Sequence, residues 1–324
     1  MEHIILYAIV PIIVVMIAGY ISGKKGIFSA KDGKAFNKVV LDYALPAALF
    51  VSIVDASREM LVKDIKLSLI SLVVIMACFM IVYFIYAKCF KGNNGADGAI
   101  MALVNGSPTI GFLGFAVLEP IFGTTPYVAL VVAIVGIVVN AVGIPVGLSL
   151  LNNSLNKTRP LPAGQKRPSA WSSVLHALAQ PVAWAPILAV IWVIAGIPWP
   201  KWLSPSFDLI KGANASMAVF AAGITLSAFK ITINWQAILG CLLKMVMMPA
   251  ALLIVGIIFH MQLENLKMLV IAGALPPAFS GIIIANQYDT YVSTSTSSLA
   301  LSVILFIGFC PLWLWLTDIC YKLF

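Results

Sequence analysis

Ten apolar runs of roughly 20 residues, the length at which a helix crosses a hydrocarbon core, follow one another along this chain. They lie near 3–22, 39–55, 67–88, 98–119, 126–150, 174–195, 207–229, 235–259, 267–287 and 296–318, with charged or turn-forming clusters between them. Such a pattern predicts an all-α polytopic membrane protein of ten transmembrane helices, because a helix satisfies its own backbone where no water can. Composition agrees: 61% of residues are hydrophobic and 10% are charged, far from the soluble average. Ten crossings take about 200 residues, which leaves no room for a fused ATPase or kinase module. The nearest approach to a phosphate loop, Gly19 to Lys24, has one residue too few between its glycines. The run from Ile4 to Ile21 has no basic residue before it and Lys24 and Lys25 after it. It is therefore expected to remain as the first span rather than be cleaved as a signal.

The formal net charge is +8, from 20 Lys and Arg against 12 Asp and Glu. In a soluble protein this excess suggests nucleic acid; here it reads as topology, and no nucleic-acid partner is expected. With Lys88, Lys211 and Lys267, near the ends of their runs, counted in the adjoining connections, twelve of the basic residues fall in odd-numbered connections and seven in the termini and even-numbered ones, while Lys244 sits inside the eighth run. The positive-inside bias then predicts that both termini are extracytoplasmic, in a cell-membrane protein. The longest connection, 152–173, carries Lys157, Arg159, Lys166, Arg167 and three prolines. It is expected to be a mobile basic cytoplasmic linker between two halves, 1–151 and 174–324. The five cysteines show no paired spacing, so no metal site or cofactor is expected.

Intramembrane landmarks recur between the halves at a nearly fixed offset. Pro11 maps to Pro181 (170 apart), Ala47–Phe50 to Met217–Phe220 (170), Pro108 to Pro277 (169) and Pro145 to Pro311 (166). Each half holds five spans, and an odd number makes the second copy enter from the opposite side. The expectation is two inverted five-helix repeats, with the fourth and ninth helices broken and crossed. Asn105-Gly106-Ser107-Pro108-Thr109 and Leu275-Pro276-Pro277-Ala278-Phe279-Ser280 mark the breaks. Proline frees carbonyls by removing donors, and half-helix N-termini present N–H groups and positive dipole ends, which suits a carboxylate. The plainer alternative is two kinked helices packed through Gly111, Gly114 and Gly281.

Leu45-Pro46-Ala47-Ala48-Leu49-Phe50, Phe220-Ala221-Ala222-Gly223-Ile224-Thr225-Leu226, Lys244 with Pro249, and Ala274-Leu275-Pro276-Pro277 followed by Asn286-Gln287-Tyr288 resemble the auxin efflux carrier family. Within it, the chain is most similar to the bacterial malate permease and malonate carrier branch. The resemblance implies a ten-helix crossover fold shared with sodium/proton antiporters and bile-acid symporters. It also implies a scaffold of spans 1, 2, 6 and 7, a moving domain of spans 3–5 and 8–10, and a homodimer through the scaffold. One departure stands out: the family often has Gly-x-Pro late in span four, whereas this chain reads Gly114-Phe115-Ala116 and carries its proline earlier, at Pro108.

Substrate contacts are expected from Asn105, Ser107, Pro108, Thr109, Ile110, Pro276, Pro277, Ala278, Phe279 and Ser280. Backbone N–H groups around Pro108–Ile110 and Pro277–Phe279 would meet a carboxylate, and Asn105, Ser107, Thr109 and Ser280 add uncharged donors; capping of the broken helices is the alternative. Lys244, deep in its span, is expected either to serve anion attraction or proton coupling, or to be structurally paired or snorkelled. Asp42 is a weaker coupling residue, more simply a solvated carboxylate. His3, His176 and His260 are expected near membrane ends, and Asn140, Gln180 and Asn214 as glue between helices. The run Ser293-Thr294-Ser295-Thr296-Ser297-Ser298 is expected to cap the last span, with an exit-path lining as the alternative.

These features together predict a secondary transporter of a small organic anion, most simply a dicarboxylate such as malate or malonate. Elevator-type movement would be coupled to protons or driven by membrane potential. A sodium-coupled or auxin-like monocarboxylate carrier is the alternative, ahead of a channel or receptor. An intramembrane enzyme would need convergent acids, an activated nucleophile or metal ligands, and the sequence offers none.

Overall fold

The structure is a computed structural model that describes residues 9–54, 65–158, 175, 179, 181–228, 232 and 234–323. Regular structure among the described residues is helical. The first half contains α1 (Val10–Lys24), α2 (Ala30–Val39), α3 (Leu45–Val54), α4 (Ile65–Phe84), α5 (Gly95–Asn105), α6 (Ile110–Phe122), α7 (Pro126–Ile137) and α8 (Ile144–Thr158). The second contains α9 (Pro181–Ile194), α10 (Ser204–Ser227), α11 (Trp235–Leu242), α12 (Met248–Ile258), α13 (Leu263–Ala274), α14 (Phe279–Gln287) and α15 (Val292–Leu323).

Six continuous stretches among the described residues are long and apolar enough to cross a membrane: Lys31–Val54, Lys66–Cys89, Pro126–Thr158, Lys201–Ser227, Trp235–Ile258 and Val292–Leu323. Val10–Lys24, Ile110–Phe122 and Trp184–Ile194 are shorter apolar helices. Several boundaries move outward from the apolar runs for local reasons. The stretch Lys31–Val54, which holds the second apolar run, starts well before residue 39, because Ser29 and Asp32 form a reciprocal capping box that starts α2. The Ser/Thr run lies inside α15, which starts at Val292, and Thr296 bonds back to the Val292 carbonyl at 2.8 Å. It is therefore part of the helix body, exposed at Ser293 and buried from Thr294 to Ser298, not a cap ahead of it. The helix α8 takes in residues 152–158 of the expected linker; the remainder of that linker, His3, His176 and Gln180 lie outside the described residues. Asn140 bonds to the Gly136 carbonyl of its own helix at 2.9 Å rather than to a neighbour. Asn214 is buried with its Oδ1 unpartnered, and His260 is exposed at the end of α12.

Three long stretches contain a widened π turn two residues ahead of a proline. Val40–Ala44 precedes Pro46, Val138–Gly143 precedes Pro145, and Leu243–Met247 precedes Pro249. Proline clashes with the carbonyl four residues back and cannot bond to it. The residue just before each proline instead donates five residues back: Leu45 to Val40, Ile144 to Val139 and Met248 to Leu243. The helix continues past the proline through one loosened turn.

Two helix pairs frame one side of the molecule. The helices α1 and α10 approach through glycines: a Cβ on Gly19 would lie 2.2 Å from the Phe220 carbonyl oxygen, and one on Gly223 2.1 Å from that of Met16. The helix α3 packs on α9, and Phe50, Trp192, Trp199 and Phe207 fill the space between α3, α9 and α10 with edge-to-face and stacked rings.

Candidate functional site

Backbone donors run out at two places in the chain, and the structure brings those places together. The helices α5 and α6 are separated by Gly106–Thr109, and α13 and α14 by Leu275–Ala278. Pro108 and Pro277 face each other in an isolated antiparallel bridge. The Thr109 N–H donates to the Pro276 carbonyl at 3.0 Å, and the Ala278 N–H donates to the carbonyls of Val104 and Ser107, both at 3.1 Å. Because the two segments run antiparallel, α6 and α14 leave this crossing in opposite directions. Their first aromatic residues meet across it, Phe112 against Phe279 with ring centroids 5.8 Å apart. Close approach depends on Gly281, where a Cβ would fall 2.8 Å from the Leu103 carbonyl group.

Each proline in this region leaves a carbonyl four residues earlier without its helical donor. Pro108 orphans Val104, whose oxygen takes the Ala278 N–H from the other segment. Pro277 orphans Gly273, whose oxygen takes the ammonium of Lys244. Pro249 orphans Met245, whose oxygen takes the indole N–H of Trp313 at 2.9 Å. Lys244 is fully buried and also lies 3.2 Å from the Met248 sulfur. Its ammonium sits at the C-terminal end of α13, where the helix dipole favours a cation. Of the two expectations for Lys244, this geometry favours structural pairing over snorkelling or a free charge awaiting an anion.

Four first-turn N–H groups lack a helical partner at the crossing by geometry: those of Ile110 and Gly111 on α6, and of Phe279 and Ser280 on α14. The sequence-based set of backbone donors therefore shifts, since Pro108 and Pro277 have no N–H and those of Thr109 and Ala278 are engaged. Among side chains, Asn105, Ser107 and Thr109 are buried and Ser280 is half-buried. Asn105 accepts from Ser298 at 2.8 Å and its amide nitrogen lies 3.9 Å from the Met101 sulfur, while the Thr109 Oγ1 is buried with no hydrogen-bond partner among the described residues. Asp42 occupies the π turn of residues 40–44, and no hydrogen bond or ion pair among the described residues joins it to the crossing. Ser298 was singled out in the sequence only as part of a polar run; its helical position beside Asn105 requires the packing of α15 on α5. Gly240 was missed altogether. A Cβ there would meet the Asn105 Nδ2 at 2.7 Å and the Ser298 Oγ at 2.9 Å.

Cavities flank the crossing along the two half-helices. One of about 450 Å³ is lined by Phe115, Ala116 and Glu119 of α6 and by parts of α1 and α10. Another of about 620 Å³ is lined by Ile283, Asn286 and Gln287 of α14, with Lys34, Asn37 and the end of α10. Phe115 and Ile283 lie about 7.5 and 6 Å along their helices from Ile110 and Phe279. The helix α10 lines both cavities.

Residues 4–314 match the membrane transport protein family, whose members include the auxin efflux carrier type. The chain belongs to that family. An uncharacterized transporter of Escherichia coli strain K12, YfdV, is 50% identical over 309 residues, covering 95% of this chain and 96% of the relative. An uncharacterized transporter of Methanocaldococcus jannaschii is 21% identical over 314 residues, covering 94% and 96%, and one of Methanothermobacter thermautotrophicus is 22% identical over 310 residues, covering 94% and 96%. Family membership and the membrane-length helices make this protein a multi-pass membrane transporter.

Proposed function

We propose that this transporter carries a small organic anion, most simply a dicarboxylate such as malate or malonate, between the two faces of the cell membrane. The supporting observation is the crossing itself: two half-helix N-termini, α6 and α14, converge on a buried patch that holds an unpartnered hydroxyl, that of Thr109. Unpaired N–H groups and positive dipole ends favour a carboxylate there. In this reading the chain forms ten spans as two inverted repeats. Six long helices, α1, α9 and the broken pairs α5–α6 and α13–α14 make up the set. Pro11 and Pro181 each lie in the first turn of their helices, α1 and α9, at equivalent positions of the two repeats.

The helices α1–α3, α9 and α10 form the scaffold, and α4–α8 with α11–α15 form the body that moves, carrying the crossing past α10 between the two cavities. Both termini are extracytoplasmic, and the scaffolds pair in a homodimer. Membrane potential drives the anion at about 2.3 kcal/mol per charge per 100 mV, with proton symport as the other coupling scheme. Thr109→Val and Ser280→Ala test the site, with malonate and malate affinity measured by calorimetry on purified protein beside the ligand-free melting temperature. Loss of one contact to a charged group lowers affinity by about tenfold or more, and Thr109→Val leaves the melting temperature unchanged because its hydroxyl has no protein partner. Unchanged affinity in both variants overturns the site.

A further inference from the structure

Glu119, in the wall of the 450 Å³ cavity, is one half of an ion pair that joins two packing units; its partner Lys211 stands behind it, one helical turn from the lining residue Ala215. Glu119, on the last turns of α6, lies with its Oε1 3.8 Å from the Nζ of Lys211 on α10. The same ammonium reaches the Ser52 hydroxyl on α3 at 3.3 Å. A close charge-assisted hydrogen bond would be about 2.7–2.9 Å long, so Lys211 and Glu119 attract each other without closing. Both side chains are about three-quarters shielded, at 21% and 26% exposure. Around them the cavity is largely apolar, with Pro11, Ile12, Val15 and Phe115 on one side. Thr124 and Ser216 supply hydroxyls, and Ser216 lies just over a helical turn beyond Lys211 on α10. Apolar walls lower the local dielectric and strengthen whatever carboxylate Lys211 holds.

We propose that Lys211 is the residue that captures the substrate at this cavity, and that Glu119 is a built-in carboxylate holding its place until a substrate carboxylate displaces it. The inference rests on the anion-carrier reading and deepens it by naming a substrate contact away from the crossing. In this proposal one carboxylate of a small dicarboxylate reaches Lys211 where Glu119 swings out of the cavity wall, and the other lies toward Thr124 and Ser216, which line the cavity. Exchange of one carboxylate for another at Lys211 conserves the local ion pair. It also unties α6 from α10, so occupancy of the cavity removes a tether across the surface along which the proposed body moves.

The two members of the pair then have opposite effects on binding, which a purely structural salt bridge would not produce. Malonate titrated calorimetrically into the purified full chain is expected to bind Lys211→Met about tenfold more weakly than wild type. Glu119→Gln is expected to bind about threefold or more tightly, because an internal competitor is gone. Lys211→Arg keeps the cation and retains binding, so a loss confined to Lys211→Met is not a folding defect, and no folding defect imitates the gain in Glu119→Gln. Equal weakening in Glu119→Gln and Lys211→Met makes the pair a structural latch and overturns the proposal, as does unchanged affinity in both. If wild type binds malonate and Thr109→Val weakens it while the Lys211 and Glu119 variants do not, the crossing site stands and only this inference falls. If wild type binds no malonate, malate or succinate, the anion-carrier reading falls with it.

Discussion

Val104, Gly273 and Met245 lose their helical donors to Pro108, Pro277 and Pro249, and each is rescued by a group of a different chemical kind. A backbone N–H, an ammonium and an indole N–H do the same work. A buried carbonyl left bare costs about 1–3 kcal/mol, so Trp313→Phe, which keeps shape and removes the donor, is expected to lower stability by about that amount in thermal or denaturant melts. Lys244→Met bares the Gly273 carbonyl in the same way and is also expected to melt lower. Of Met245 and Gly273, only Gly273 belongs to a broken helix that enters the crossing, so of these two variants only Lys244→Met is expected to weaken dicarboxylate binding as well, read by calorimetry on the same samples. That Lys244 needs a partner was legible in the sequence, because an ammonium in the middle of an apolar run is expensive unless it is paired. Its partner was not, since no rule of spacing says which helix brings an acceptor. One signal was available: counting back four residues from Pro277 points to Gly273 as a carbonyl in need.

At the scale of helices, the α1–α10 pair brings two backbones into close approach through Gly19 and Gly223. Gly223→Ala pushes a methyl group against the Met16 carbonyl. Overpacking of this kind costs about 1–3 kcal/mol, so the variant is expected to melt lower, with anion affinity of the folded fraction unchanged. The broken helices were legible as polar, proline-bearing interruptions in the fourth and ninth apolar runs, and Pro108 rather than a later residue is where the first chain crosses. The π turns were not legible. Each proline announces a disturbed turn, but whether the chain kinks, breaks or widens depends on what packs beside it. Pro46, Pro145 and Pro249 lie in helices that continue through a widened turn, whereas Pro108 and Pro277 lie where another segment of the same chain supplies alternative bonds. Helix starts set by caps, as at Ser29 and at Thr125, were readable in principle from the short-range pattern.

For the whole molecule, the bias of basic residues toward odd-numbered connections carries the proposed orientation, and it is open to a direct check. Asn156 is exposed on the last turn of α8, in the connection assigned to the cytoplasm. A cysteine placed there by Asn156→Cys, in a cysteine-free background that still transports, is expected to resist an impermeant thiol reagent applied to intact cells and to react in inverted vesicles. Labelling from outside reverses the orientation. The proposed ten spans and two-half organisation rest on hydropathy and on the proline offsets of the sequence, beside the six membrane-length stretches found among the described residues. The cavities were not legible, because each is lined by helices far apart in sequence that meet only through packing.

The hydrogen bonds of the crossing, Thr109 to Pro276 and Ala278 to Val104 and Ser107, are all closed between α5–α6 and α13–α14. If those four segments travel as one body, the journey breaks none of them. Resistance to motion then comes from outside, from apolar flanks that must rise and fall against acyl chains of fixed length. A difference in bilayer thickness of a few ångströms, at fractions of a kcal/mol per Å of mismatch, would bias which facing state the protein prefers. The lipid composition of its host membrane becomes, in effect, a setting on the direction in which this carrier rests.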